Sequence, residues 1–344
     1  MQRHLFLRPT AADSEHEARH QCAVKCHNSP VSRSARDRAL VAVALLALAA
    51  SGDAAGHPSA ALELIVLGSG GPAALGRAAS SYLVLLDGEP RILVDTGPGS
   101  FARIGEVHAS LRAVDLVLLT HLHIDHAGEL PGLVKARAVA AAGSIHFHIY
   151  GPAGQEGHGD IATFPSTSRF VELMFGADGA FAYLKDFSAP ISFEVTDVPI
   201  ASAGASNPRT IVTEAGLKIS AIPGHHGDAP AIIYRIEYQG RSIVFSGDID
   251  ASGLPALATI CRAANLLVFH AVVLDPPGSP EVLYSLHTPP GAIGALAARS
   301  QVGALLLSHL SPAVDRKRAA VTASIASHYR GSVKFAADGM RVKP

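Results

Sequence analysis

The chain has 344 residues, 48% hydrophobic and 17% charged, which can bury a sizeable core and is too apolar for a disordered protein. Tryptophan is absent and aromatic residues make up only 6%, so stacking platforms for bases or sugars are few. The formal charge of −1 advertises no large basic surface for nucleic acid.

Residues 1–38 are polar and show no helical or strand periodicity. Arg33, Arg36 and Arg38 then precede an apolar run from Ala39 to Ala50, which contains the small-residue triplet Ala47-Leu48-Ala49. A basic stretch, a short apolar region and small residues predict a leader over 1–55 with a secretory signal peptide, its apolar region at 39–50. The run is too short for a comfortable transmembrane helix, so no stable membrane span is expected after cleavage. The product is expected in the periplasm of a bacterium or secreted. Without residues 1–49 the net charge becomes −4, and Cys261 is the sole cysteine, which excludes an internal disulfide. Cys22 and Cys26 with His20 and His27 mimic a metal site, but they lie in the segment expected to be lost.

Residues 60–344 are read as one domain. Leu62 to Leu67 predicts a strand, followed by Gly68-Ser69-Gly70-Gly71-Pro72. Such a loop invites a dinucleotide reading. Pro72 interrupts the pattern, however, and Ser81 to Leu86 is another strand where a helix would be needed. Arg91 to Val94 is a third strand, ending in Asp95-Thr96-Gly97-Pro98-Gly99. Leu116 to Leu119 reads as a buried strand, followed by His121-Leu122-His123-Ile124-Asp125-His126 and a helix-like segment from about Ala127 to Val139. Histidines at i and i+2 at a strand end can converge on one cation, and the next turn offers Asp125 and His126 to a second. Imidazole and carboxylate suit zinc, with iron or manganese as alternatives.

With Thr120 before it, HLHIDH resembles the HxHxDH signature of the metallo-β-lactamase fold hydrolases, and the resemblance runs from about Leu62 to Pro312. The ribonuclease Z-like branch fits best. The resemblance implies an α/β protein with a four-layer αββα fold, the glycine-rich loop beside the metal site, and Asp95 orienting the histidine loop without touching metal. Ser144 to Tyr150 is a strand carrying His146 and His148 on one face. These two could be ligands, but the implied site is complete without them, so they are expected to face solvent or an interface. Gly151-Pro152-Ala153-Gly154 resembles a turn of the same branch. The next stretch, with a helix around Thr167 to Phe175, occupies the place of the basic arm that grips tRNA in tRNA-processing members. Here it holds only Arg169 and Lys185, which argues against tRNA.

In the second half, Leu217 to Ile222 is a strand leading into Pro223-Gly224-His225-His226. Pro230 to Ile236 resembles a family strand whose register picks His226 as the ligand. Ser246-Gly247-Asp248 after the strand Ser242 to Phe245 stands where the family puts the carboxylate that bridges two metals, one oxygen to each cation. Phe269-His270-Ala271 stands where the pattern has His-Glu-Ala, so the glutamate that supports a catalytic histidine is His270 here. His287, ahead of an Ala-rich helix from Gly291 to Ala298, resembles that catalytic histidine, and His309 supplies the final ligand.

The resemblance therefore implies two zinc ions per chain, one held by His121, His123 and His226, the other by Asp125, His126 and His309. Asp248 and a hydroxide would bridge them. Asp125 and His287 are the expected proton-handling groups. Three classes stay open: a phosphodiesterase, a hydrolase of lactone, thioester or β-lactam substrates, and a mononuclear iron oxygenase or metal-binding protein of the same fold. The phosphodiesterase reading leads, with a small-molecule or short phosphodiester substrate and no extended nucleic-acid surface. A homodimer is compatible with the sequence.

Overall fold

The computed structural model describes residues 61–344 apart from 74, 158, 160–161 and 201–206. The leader, the signal peptide and the domain boundary at residue 60 lie outside the described residues. Among the described residues no helix is long and apolar enough to cross a membrane.

The apolar runs become strands buried on both faces. In β1 (Leu62–Gly68) all seven residues are buried, and side-chain alternation sends them into two different cores. Leu64 and Val66 face a core shared by two sheets, whereas Ile65 and Leu67 face a core roofed by helices. The first sheet continues through β2 (Ser81–Leu86), β3 (Glu89–Thr96), β4 (Leu116–Leu118), β5 (Ile145–Pro152) and β6 (Ile191–Val198). The second comprises β7 (Arg209–Glu214), β8 (Leu217–Pro223), β9 (Ile232–Tyr238), β10 (Arg241–Phe245), β11 (Leu266–His270), β12 (Ala304–Ser308) and β13 (Ser332–Phe335). The last strand, β14 (Arg341–Val342), returns to pair with β1, giving the orders β14-β1-β2-β3-β4-β5-β6 and β13-β12-β11-β10-β9-β8-β7.

Helices close both outer faces. Ile104 of α1 (Ser100–Glu106), Ala127 of α2 (Ile124–Ala127), Leu133 of α3 (Leu130–Val139) and Phe175 of α4 (Thr167–Phe175) pack on the first sheet. Leu257 of α5 (Leu254–Ile260), Leu296 of α6 (Pro290–Arg299), Val314 of α7 (Pro312–Arg316) and Ile325 of α8 (Arg318–Ala326) pack on the second. The result is the expected four layers, αββα.

The single helix expected from Ala127 to Val139 is two. The chain breaks at Gly128, and Pro131 sits in the first turn of α3, where its missing N–H costs no helical bond. Strands β3 to β6 run parallel, as do β10 to β13. The loops leaving the carboxyl ends of β4, β10, β11 and β12 all open toward one edge of the sandwich, and the histidines and aspartates sit there.

Candidate metal centre

His121 and His123 follow β4, with His121 fully buried. Their nitrogens His121 Nε2 and His123 Nδ1 stand 3.1 Å apart. His226 reaches them from the loop after β8, and the donor atoms of the three residues lie within 4.8 Å of one another. Of the histidine pair, His226 is the buried one. Its Nδ1–H donates to Leu286 O at 2.9 Å, which fixes the tautomer and leaves Nε2 free toward the cluster. His225 turns outward and bonds Asp250 at 2.7 Å.

The second group gathers beside the first. His309 Nε2 is 3.1 Å from Asp125 Oδ2, and His126 Nε2 is 3.7 Å from the same oxygen. Asp248 Oδ2 is the common point, 3.5 Å from His309 Nε2 and 3.7 Å from both His126 Nε2 and His226 Nε2. All seven sequence-derived ligand candidates therefore meet at one place. A single oxygen of Asp248 faces both groups. Its other oxygen, Oδ1, accepts from His270 Nδ1 at 2.8 Å.

Buried polar groups hold this arrangement. Asp95, fully buried, accepts from Thr120 N at 2.7 Å, Thr120 Oγ1 at 2.9 Å and His126 Nδ1 at 2.8 Å. Thr120 O in turn accepts from Ile232 N at 2.8 Å, tying the histidine loop to the second sheet. His270 is clamped from both ends, with Tyr82 Oη 3.1 Å from its Nε2. The structure thus turns His270 onto Asp248. His287 lines the cavity with its Nδ1 3.9 Å from Asp248 Oδ2 and without a hydrogen-bond partner. The sequence places His270 where a glutamate supports a catalytic histidine; its contact with Asp248, and that of Tyr82 with it, have no local sequence signal.

The electrostatics follow from crowding imidazoles in a buried space. Burial, reinforced by His126, His226 and His123, holds His121 well below the ordinary imidazole range, and burial with His226 lowers His123. Burial pushes His270 and His287 down to about 4. Burial opposes a proton on His126, but Asp95 and Asp248 outweigh it and lift that group to about 10. Burial also works against ionising Asp125, yet His309 and His126 bring its carboxyl down to about 2. Asp248 likewise falls well below the usual range, its burial outweighed by His309, His126 and His270. Ionised carboxylates and the neutral imidazoles of His121 and His123 are donor states a cation requires, whereas His126 would release its Nε2 proton on binding one.

A model of the Metallo-beta-lactamase superfamily matches residues 74–286. The chain belongs to that superfamily. It is 29% identical over 301 residues to a ribonuclease Z of Mycobacterium marinum, covering 82% of this chain and 98% of that one. A ribonuclease Z of Mycobacterium bovis is 30% identical over 267 residues, 74% of this chain and 87% of that protein. Among solved structures, human tRNase Z, short form, superposes with a TM-score of 0.62 at 20% identity over 82% of this chain and 99% of that one, a likeness of fold.

The residues of this superfamily member fit divalent metal on their own geometry. His126 Nε2 is buried without a hydrogen-bond partner and aims at Asp125 and Asp248. A Cβ on Gly71 would stand 2.5 Å from His309 Cε1, so the glycine-rich loop lies directly on the His309 ring. The cluster floors a cavity of about 410 Å³ whose walls include Val272, Leu283, Leu286 and Leu310. With this donor set the chain is a metal-dependent hydrolase of ribonuclease Z-like type.

Proposed function

We propose that this metallo-hydrolase cleaves phosphodiester bonds in short or small substrates, with two zinc ions per chain held by His121, His123 and His226 and by Asp125, His126 and His309, Asp248 being shared. The observation that carries it is the position of Asp248 Oδ2, 3.5 to 3.7 Å from imidazole nitrogens of both groups. When bound, such a cation pair supplies a water of lowered pKa and offsets charge on the attacking and leaving oxygens. Ribonuclease Z relatives covering nearly the whole described chain support the phosphodiester class.

The protein's own groups divide the remaining work. Asp125, ionised and at the cavity floor, can accept a hydrogen bond from an attacking water, and a carboxyl this acidic orients the water through that bond rather than keeping its proton. His287 belongs to neither three-residue ligand set and faces the same cavity; burial holds it to about 4, so it protonates a leaving oxygen only in the fraction carrying a second proton, and its contribution should grow as pH falls. The segment around α4 carries few basic residues, which supports a short substrate. The apolar run at 39–50 supports an extracytoplasmic location.

The apolar walls Leu283, Leu286 and Val272 favour a second reading, hydrolysis of an acyl substrate. The test compares p-nitrophenyl phosphodiesters, unactivated dinucleotides and lactones in wild type and His287→Ala. The variant should lose about 10²–10⁴-fold on unactivated diesters, as a positioned histidine commonly contributes, and little on p-nitrophenyl diesters. Equal loss on both diesters removes His287 as the acid, and turnover of lactones alone replaces the phosphodiester reading.

A further inference from the structure

Away from the buried cluster, the first sheet brings together three side chains that the proposed chemistry does not use. His146 and His148 occupy alternate positions of β5, and parallel pairing sets His148 opposite Glu194 and His146 opposite Ser192 on the edge strand β6. Alternation puts His146, His148, Ser192 and Glu194 on one face. His146 Nε2 and His148 Nδ1 each lie 3.4 Å from the same oxygen, Glu194 Oε2. The imidazole rings stand 4.5 Å apart at 87°, and the donor atoms of all three residues fall within 4.8 Å of one another.

Two features distinguish this trio from a chance surface pair. Donors bound to a tetrahedral cation at about 2.0–2.1 Å are separated by about 3.3–3.4 Å, the edge of the tetrahedron. Both nitrogen–oxygen separations match that edge and are long for a charge-assisted hydrogen bond. The same range, 3.1 to 3.7 Å, recurs among the donors of the buried centre. In addition, Ser192 Oγ lies 2.6 Å from His146 Nδ1 and donates to Ile145 O. It holds the ring from behind and leaves Nε2 turned toward the Glu194 carboxylate.

We infer that His146, His148 and Glu194 form a peripheral binding site for a divalent cation of the zinc class, separate from the hydrolytic centre and pinning β5 to the edge strand β6. The side chains are 50%, 35% and 63% exposed, which leaves the fourth coordination position to water or to an outside ligand. Imidazole-rich donors favour copper, nickel and zinc over magnesium or calcium.

The test uses the full chain with its buried centre already loaded. Wild type, the double variant His146→Ala/His148→Ala, and Glu194→Gln are equilibrated with zinc ions alone, and bound zinc per chain is measured beside diester hydrolysis. Wild type should hold one equivalent more than the double variant, with Glu194→Gln weakened and hydrolysis equal in all three. Cupric ion loaded at this site should give a paramagnetic resonance spectrum split by two imidazole nitrogens, absent in the double variant. Equal zinc content in wild type and the double variant overturns the site. So does loss of the extra equivalent together with hydrolysis, because that metal would then belong to the buried centre. Glu194→Gln replaces an exposed side chain and answers the question even where the double variant fails to fold.

Discussion

Gly71→Ala probes how closely the glycine-rich loop rests on the metal centre. A Cβ built at Gly71 stands 2.5 Å from His309 Cε1 and 2.7 Å from His309 Nδ1, whereas ordinary contact begins at 3.4 Å. The ring must therefore retreat by about 0.9 Å, or the loop must lift by the same amount. Metal–ligand distances tolerate only about ±0.2 Å, so a retreat of that size would take His309 out of the position the proposed metal requires. Gly71 has no positive φ, so backbone strain does not confuse the result. We expect the variant to fold, to bind less metal, and to lose about 10²-fold in turnover, the usual consequence of a 1 Å misplacement. Metal content by mass spectrometry and initial rates on a diester are the assays. Full metal occupancy with wild-type turnover would show that the loop lifts freely, and the claim that it braces His309 would fail.

Other substitutions follow from the same geometry. Asp95→Asn puts an amide N–H against one of three donors, Thr120 N, Thr120 Oγ1 or His126 Nδ1, and should lower metal affinity by about 10–100-fold in a chelator competition. Asp248→Ala should release most of the bound metal and abolish hydrolysis, because the shared oxygen that offsets repulsion between two cations is gone; full occupancy with unchanged turnover would sink the dinuclear proposal. If residues 39–50 are a signal-peptide core, the native protein should begin near Ala50 and fractionate with the envelope. Terminal sequencing of cytosolic protein that still carried residues 1–49 would contradict this.

The legibility of the chain depended on how local each signal was. The hexapeptide from His121 to His126 concentrates four polar ligands after an apolar strand, so local spacing alone identified a metal site. His226, Asp248 and His309 are scattered over the second half, and only the family resemblance linked them to it. Strands β6 and β7 carry little sequence signal because they are edge strands of the two sheets, where half-exposed sequences such as Ile191–Val198 lack the dense apolar signature of β1 or β2. Helices α1 and α5 are seven residues each, too short for a clear 3.6-residue period. The partner of His270 was illegible for a different reason. It is set by the parallel register of β10 and β11, in which Phe245 stands opposite Val268, so Asp248 and His270 emerge side by side.

That pairing reassigns the position where a glutamate was expected. A carboxylate can only accept, so His270 must donate its Nδ1–H to Asp248 Oδ1. Its Nε2 lies 3.1 Å from the Tyr82 hydroxyl, which donates to Ser308 Oγ at 2.8 Å. The chain of hydrogen bonds fixes the plane of the Asp248 carboxylate and presents Oδ2 alone to the metal groups. His270 is accordingly a positioning residue, and its removal should act on metal binding before it acts on chemistry. His270→Ala should weaken metal affinity by about 10–100-fold, the range found for groups that orient ligands. His270→Asn, whose side-chain N–H₂ can occupy the place of Nδ1, should restore much of that affinity despite the smaller side chain. A purely structural role would make both variants equally unstable to heat without separating their metal affinities. Wild-type metal affinity in His270→Ala would mean that Asp248 holds its orientation unaided.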